Sequence, residues 1–160
     1  MWHRLILVAL LFAALPAAAA AQLADKKVLT LAAAQEVATA AEATARENGW
    51  NVVIAIVDDA GILVYLQRLD GTQPGSVDVA QQKARSAAMF RRPTKAFADA
   101  VAQGAVAILS LNGAVAVEGG VPLTADGSVI GAIGVSGVTS QQDGIIAQAG
   151  ADRLTALLQR

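Results

Sequence analysis

The chain has 160 residues, 55% of them hydrophobic, with 12 basic and 13 acidic side chains for a net charge of −1. That balance leaves no basic stripe to neutralise phosphates and argues against a nucleic-acid partner. There is no cysteine, which excludes disulfides, thiolate metal sites and a cysteine nucleophile.

Residues 1–21 read as a secretory signal peptide. Met1-Trp2-His3-Arg4 is a short basic start, Leu5 to Leu15 an apolar stretch, and Ala17 to Ala21 a small-residue cleavage site. The apolar stretch is too short to span a bilayer. The expectation is one domain, 22–160, exported to the periplasm or secreted, with no membrane span after cleavage. Trp50, Tyr65, Phe90 and Phe97 are then its only aromatics. A core so poor in bulk relies on close backbone packing, and oligomerisation would help it.

Leu31 to Asn48 predicts a helix, with Thr30 as N-cap, Gly49 just beyond its end, and a stripe of small residues at helical spacing. Val52–Val57 and Ile62–Leu69 predict two strands joined through Asp58-Asp59-Ala60-Gly61. Ser76 is expected to cap a helix over Val77–Phe90, and Thr94 a shorter one to about Gln103. Ala107–Leu111 and Ala114–Glu118 read as two short strands about Asn112-Gly113. A further hairpin turns at Asp126-Gly127, and Ser140 is expected to cap a last helix through Leu158, with Asp143 in its first turn. Strands joined by tight turns with helices grouped between them predict an α+β fold built on an antiparallel sheet flanked by helices.

The segment Gly119 to Gly137, GGVPLTADGSVIGAIGVSG, carries the strongest local signal. Gly131, Gly134 and Gly137 recur every third residue in its second strand. Glycine weakens a strand by about 0.5–1 kcal/mol relative to alanine, so the run implies close approach of a helix, a neighbouring subunit or a ligand.

Catalytic machinery is sparse. The sole histidine, His3, leaves with the signal peptide, so no Ser-His-Asp or Cys-His apparatus remains. Gly134-Val135-Ser136-Gly137 lacks both the spacing and the base of a nucleophile elbow. The glycines lie inside a strand rather than between a strand and a helix, unlike a dinucleotide fingerprint. Asp58-Asp59 supplies too few carboxylates for a hard-cation cage, and no metal site is assigned. Lys83 shares a helix face with Val79, Ser86 and Phe90. Its ammonium either snorkels to solvent or faces a pocket and meets an anionic ligand. Arg68 and Asp70 offer a second charged pair, and Arg91-Arg92 complements a helix dipole.

Four blocks in order, VVIAIVDDAGILVYLQRLDG, AQQKARSAAMFRRPT, GGVPLTADGSVIGAIGVSG and QQDGIIAQAG, resemble the GlcG/HbpS family, which includes the PduO C-terminal-like domain. The match runs from about Leu29 to Leu157. The resemblance implies a profilin-like arrangement, a homo-oligomer from dimer to octamer, and binding of haem, a related tetrapyrrole or another small anionic apolar ligand. It points to Arg68, Asp70, Lys83, Phe90, Gly119, Gly120, Pro122 and Asp143 as ligand-binding residues, with the site where the Gly119–Pro122 segment meets the Val77–Phe90 helix. Haem iron is usually held by His, Met, Cys or Tyr. This chain offers Tyr65, Met89 and the oxygen donor Thr124, so haem would be weakly ligated or held at a subunit interface. The leading reading is an exported, non-catalytic haem- or small-ligand-binding protein, linked to haem or redox sensing. The alternatives are an oligomeric accessory subunit without ligand, or an enzyme acting on a small carboxylate through Lys83, Asp70 and Asp143.

Overall fold

A computed structural model describes residues 25–159; the signal-peptide expectation falls on 1–21, outside the described residues. In chain order the elements are α1 (Leu31–Glu47), β1 (Val53–Asp58), β2 (Leu63–Arg68), α2 (Ser76–Phe90), α3 (Thr94–Ala102), a 3-10 turn (Val106–Ser110), β3 (Gly120–Ala125), β4 (Ser128–Ser136) and α4 (Ser140–Leu158). The sheet has the order β2-β1-β4-β3 with every neighbour antiparallel. No helix among the described residues is long and apolar enough to cross a membrane.

The strand pleat divides the core into two layers. Ile54, Ile56, Ile133 and Val135 point toward α1 and α4, where Val37, Ala41, Ile146 and Leu154 close the larger core. Val53, Ala55, Val57 and Ala132 point the other way, onto Ala80, Ala84, Ala87 and Ala88 of α2. Alanine on α2 brings its backbone down onto the sheet. A Cβ at Gly134 would overlap Ala80 O and Ala84 N. The close approach expected at this glycine is therefore that of a helix.

The α+β antiparallel architecture is as expected, but the segment after α3 is not. In place of two strands about Asn112-Gly113, Val106–Ser110 winds into a 3-10 turn. Its hydrogen bonds are local, Ile108 N–H to Ala105 O, Leu111 N–H to Ile108 O and Ala114 N–H to Leu111 O. Gly113 does take a positive φ of 84°, so the turn exists without a ladder to join. A five-residue apolar run does not distinguish strand from helix by periodicity, and here no sheet edge receives it.

Three caps also differ. Thr139, not Ser140, caps α4, its hydroxyl accepting from Gln142 N–H in a capping box. Ser76 and Thr94 are the first residues of their helices rather than their caps. Their hydroxyls are used across the fold: Ser76 Oγ lies 3.3 Å from Ser136 Oγ, and Thr94 Oγ1 accepts the Gly120 N–H at 2.9 Å.

Candidate functional site

Lys83 is the largest fully buried side chain, 1% exposed. It lies on the face of α2 that carries Ala80, Ala84 and Ala87, while Val79 is exposed. The snorkelling alternative is thereby corrected, because the ammonium is directed inward. Nζ donates to Asp143 Oδ2 at 2.8 Å and to Val135 O at 3.0 Å.

Asp143 stands in the first turn of α4, where the helix dipole favours a carboxylate. Its second oxygen accepts the Val138 N–H at 3.3 Å. Burial pushes the Asp143 carboxyl above its ordinary range, and the Lys83 ammonium with the Val138 and Gly137 amides pulls the other way. The pair joins the α2 layer to the α4 layer around the start of β3.

Gly119 and Gly120 form the ledge over this pair. Gly119 has φ 126°, and a Cβ there would meet Lys83 Nζ, Val135 O and Asp143 Cβ at 2.8–2.9 Å. A Cβ at Gly120 would overlap Lys83 O and approach Thr94 Cγ2. Both glycines are thus required by what lies beneath them. On the outer side of the ledge is an open hollow of about 310 Å³, lined by Pro93, Lys95, Glu118, Gly119, Gly120, Val121, Gly144, Ile145 and Gln148. The hollow therefore lies between the start of β3, α4 and the start of α3. Lys83 of α2 lies behind the ledge rather than in the hollow.

The structure brings Lys83, Asp143, Gly119 and Gly120 together and leaves the other named residues apart. Pro122 is half-buried on β3, two residues beyond the ledge. Phe90 packs edge-to-face on Phe97, ring centroids 5.2 Å apart. Arg68 does not pair with Asp70: its Nε donates to Thr72 O, and Asp70 lines a separate hollow beside Arg46, Trp50 and Asn51. The three iron-donor candidates do not converge. Tyr65 is on the edge strand β2, its hydroxyl 3.1 Å from Gln67 Oε1. Thr124 is exposed on the opposite edge strand β3, and Met89 is exposed on α2. Asp58 and Asp59 are engaged locally, Asp58 Oδ1 accepting the Ala60 and Ile62 amides and Asp59 pairing with Lys26. Among the described residues no group of three or more His, Cys, Asp or Glu could hold a metal ion.

Several hollow residues escaped the sequence reading, namely Lys95, Glu118, Val121, Gly144, Ile145 and Gln148, as did the bond of Thr94 to the ledge. Gly144 carried a usable signal. A glycine inside a helix costs about 1 kcal/mol relative to alanine and implies close packing, and a Cβ there would meet the Glu118 side chain at 2.6–3.0 Å.

Comparison with known proteins places this geometry among relatives. The profile of the family described as "Haem degrading protein HbpS-like" matches residues 29–152. The chain is 40% identical to Protein GlcG of Escherichia coli K12 over 111 residues, 69% of this chain and 83% of that protein. The crystal structure of a double mutant of Streptomyces reticuli HbpS superposes with a TM-score of 0.75 at 37% identity, covering 88% of this chain and 97% of the other. A structure described as a PduOC:Heme complex gives a TM-score of 0.72 at 28% identity, covering 79% and 95%.

Proposed function

This chain belongs to the HbpS-like family, and we propose that it binds a flat, apolar, carboxylate-bearing ligand of the haem or tetrapyrrole class without transforming it. The observation that carries this reading is the hollow over Gly119-Gly120. It is walled by Pro93, Val121 and Ile145, with Lys95, whose ammonium pairs with Asp99 at 2.7 Å, and the Glu118 carboxylate at its side. Apolar walls with a few placed polar groups are the usual form of a small-molecule site, and about 300 Å³ is the lower end of the usual size. The hollow takes one edge of a macrocycle and leaves the rest outside. A relative of the same fold is described in complex with heme.

The lining fits the macrocycle and not its iron. It contains no imidazole, thiolate, thioether or phenol, the usual axial donors. Binding by this surface accordingly depends chiefly on the flat apolar body, its carboxylates competing with Asp99 for the exposed Lys95. Lys83 and Asp143, the acid and base named for turnover of a small carboxylate, pair with each other behind the ledge and do not line the hollow.

The test is a titration of the purified protein with haem and, in parallel, with metal-free protoporphyrin, each read by absorbance. Saturation at a fixed ratio per subunit, with the two affinities within about threefold, supports the reading. A non-saturating rise with both, or saturation with haem alone, overturns it.

Export and self-association belong to the same proposal. Residues 1–21 act as the export signal. The protein assembles with copies of itself through the segment before β3, where Val106 and Leu109 are each 64% exposed and Leu111 and Val117 are exposed as well. Four exposed apolar side chains within twelve residues of chain offer apolar surface that a second copy would cover. Leu109→Glu would then reduce the mass in solution, and an unchanged mass would refute the assignment.

A further inference from the structure

We infer a second ligand site, remote from the Gly119-Gly120 ledge, centred on the Arg85 guanidinium and fitted to a monocarboxylate with an apolar chain. Arg85 is on α2 and exposed. Among the described residues Arg85, like Arg68, Arg91 and Arg92, forms no salt bridge, whereas Lys26, Lys27, Arg46, Lys83, Lys95 and Arg153 each do. An exposed arginine is ordinarily a solvated side chain. This one lines two hollows at once.

The first hollow, about 250 Å³, is walled by Val57, Gly61, Ile62 and Leu63 of the β1–β2 hairpin and by Gln81 and Gln82 of α2. The second, about 290 Å³, is walled by Met89, Phe90, Asn112 and Gly113. The hairpin turn fixes the wall of the first. Asp58 Oδ1 accepts the Ala60 and Ile62 amides, and Gly61 takes φ 77°. A Cβ at Gly61 would lie 2.9 Å from Arg85 Cγ and 3.4 Å from Met89 Cγ, so both stems lie against bare backbone. Around the guanidinium, Ile62, Leu63 and Met89 remain exposed at 58%, 46% and 53%. Single exposed apolar residues need no explanation, but three beside one unpaired cation form an amphipathic surface.

Charge and shape select the ligand. A guanidinium presents a planar fork of donors that matches a carboxylate in two parallel hydrogen bonds. The two hollows supply one cation between them, which balances one negative charge; a phosphate dianion would leave a charge uncompensated. The apolar walls on either side take a short hydrocarbon chain. The inference is independent of the haem reading, because neither hollow shares a residue with the Gly119-Gly120 hollow.

The experiment is a calorimetric titration of the purified protein with decanoate below its micellar concentration, with decanol as the uncharged control. Saturable binding of one decanoate per subunit is expected, with decanol at least about tenfold weaker. Arg85→Gln should weaken decanoate by at least about tenfold, and Arg85→Lys by less, because the charge survives without the fork. Amide shifts should centre on Gly61–Leu63 and Gln81–Met89. Saturating protoporphyrin should leave the decanoate affinity unchanged. Equal affinity in Arg85→Gln, equal binding of decanol, or competition by protoporphyrin would each overturn the site. So would a drop in mass on Ile62→Ser without decanoate binding, which would assign the surface to a second copy of the chain. A null result with protoporphyrin alone would count against the haem reading and leave this site standing.

Discussion

Lys83 and Asp143 are joined at 2.8 Å although sixty residues separate them, and the bond closes the sheet between its two helical layers. Removing two charges from water costs several kcal/mol for each, so such a pair stabilises little in itself, while deleting one partner strands the other. Lys83→Met should therefore cost about 3–5 kcal/mol of unfolding free energy. The double variant Lys83→Met with Asp143→Leu should recover a large part of that loss. Urea unfolding of both variants decides it. A double variant no better than the single would mean that the ledge depends on the charges themselves and not on filled volume.

The sign of the Asp143 effect on pH is opposite to that of most acids. Its folded-state carboxyl is raised above the ordinary value of 3.8. In the window from about 3.8 up to the raised value, the folded protein holds the proton more tightly than the unfolded chain, so this group makes stability fall as pH rises. Glu42 acts the other way. Hydrogen bonds from Gln67 and Arg46 lower its carboxyl below the ordinary 4.5. Its contribution is complete above about 4.5 and is lost as pH falls through the lowered value. Glu42→Gln should therefore flatten the acid limb of a thermal-stability profile below pH 4.5. An acid limb as steep as the parent's would show that Glu42 carries none of it.

Much of the architecture was legible because it rests on local chemistry. Thr30 caps α1 through Ala33 N–H, and Asp126 and Gly127 both take positive φ at the β3–β4 turn, as their residue types require. The glycine run announced a close approach, and the structure supplies α2 at Gly134 and the Asn51-Val52 backbone at Gly137. What could not be read was which distant group each side chain would meet. Thr94 looks like a cap in sequence and acts as an acceptor for Gly120, 26 residues on. Lys83 has the spacing of a half-exposed residue, and only the arrival of α4 shows why it is buried. The 3-10 turn was missed because a short apolar run has no period that separates the alternatives.

Gly134 offers a direct test of the close approach of α2. Any side chain there must displace Ala80 O and Ala84 N, which are helix backbone and do not yield by rotamer change. Gly134→Ala should cost about 1–3 kcal/mol, the usual range for overpacking, and Gly134→Val more. Thermal unfolding of the two variants measures the order. An alanine variant as stable as the parent would mean that α2 can lift from the sheet at no cost.

Thr94 ties the rigidity of the ledge to its proposed use. Its hydroxyl is the acceptor for the buried Gly120 N–H, and an amide left without a partner costs about 1–3 kcal/mol. Thr94→Val keeps the shape and removes the acceptor, whereas Thr94→Ser keeps the acceptor and removes a methyl group. The valine variant should lose about 1–3 kcal/mol of stability and bind protoporphyrin more weakly, because Gly120 is free to leave its position beneath the hollow. The serine variant should bind like the parent. The two readouts separate structure from site: a valine variant that unfolds earlier yet binds protoporphyrin with parental affinity would place the ligand away from Gly119-Gly120.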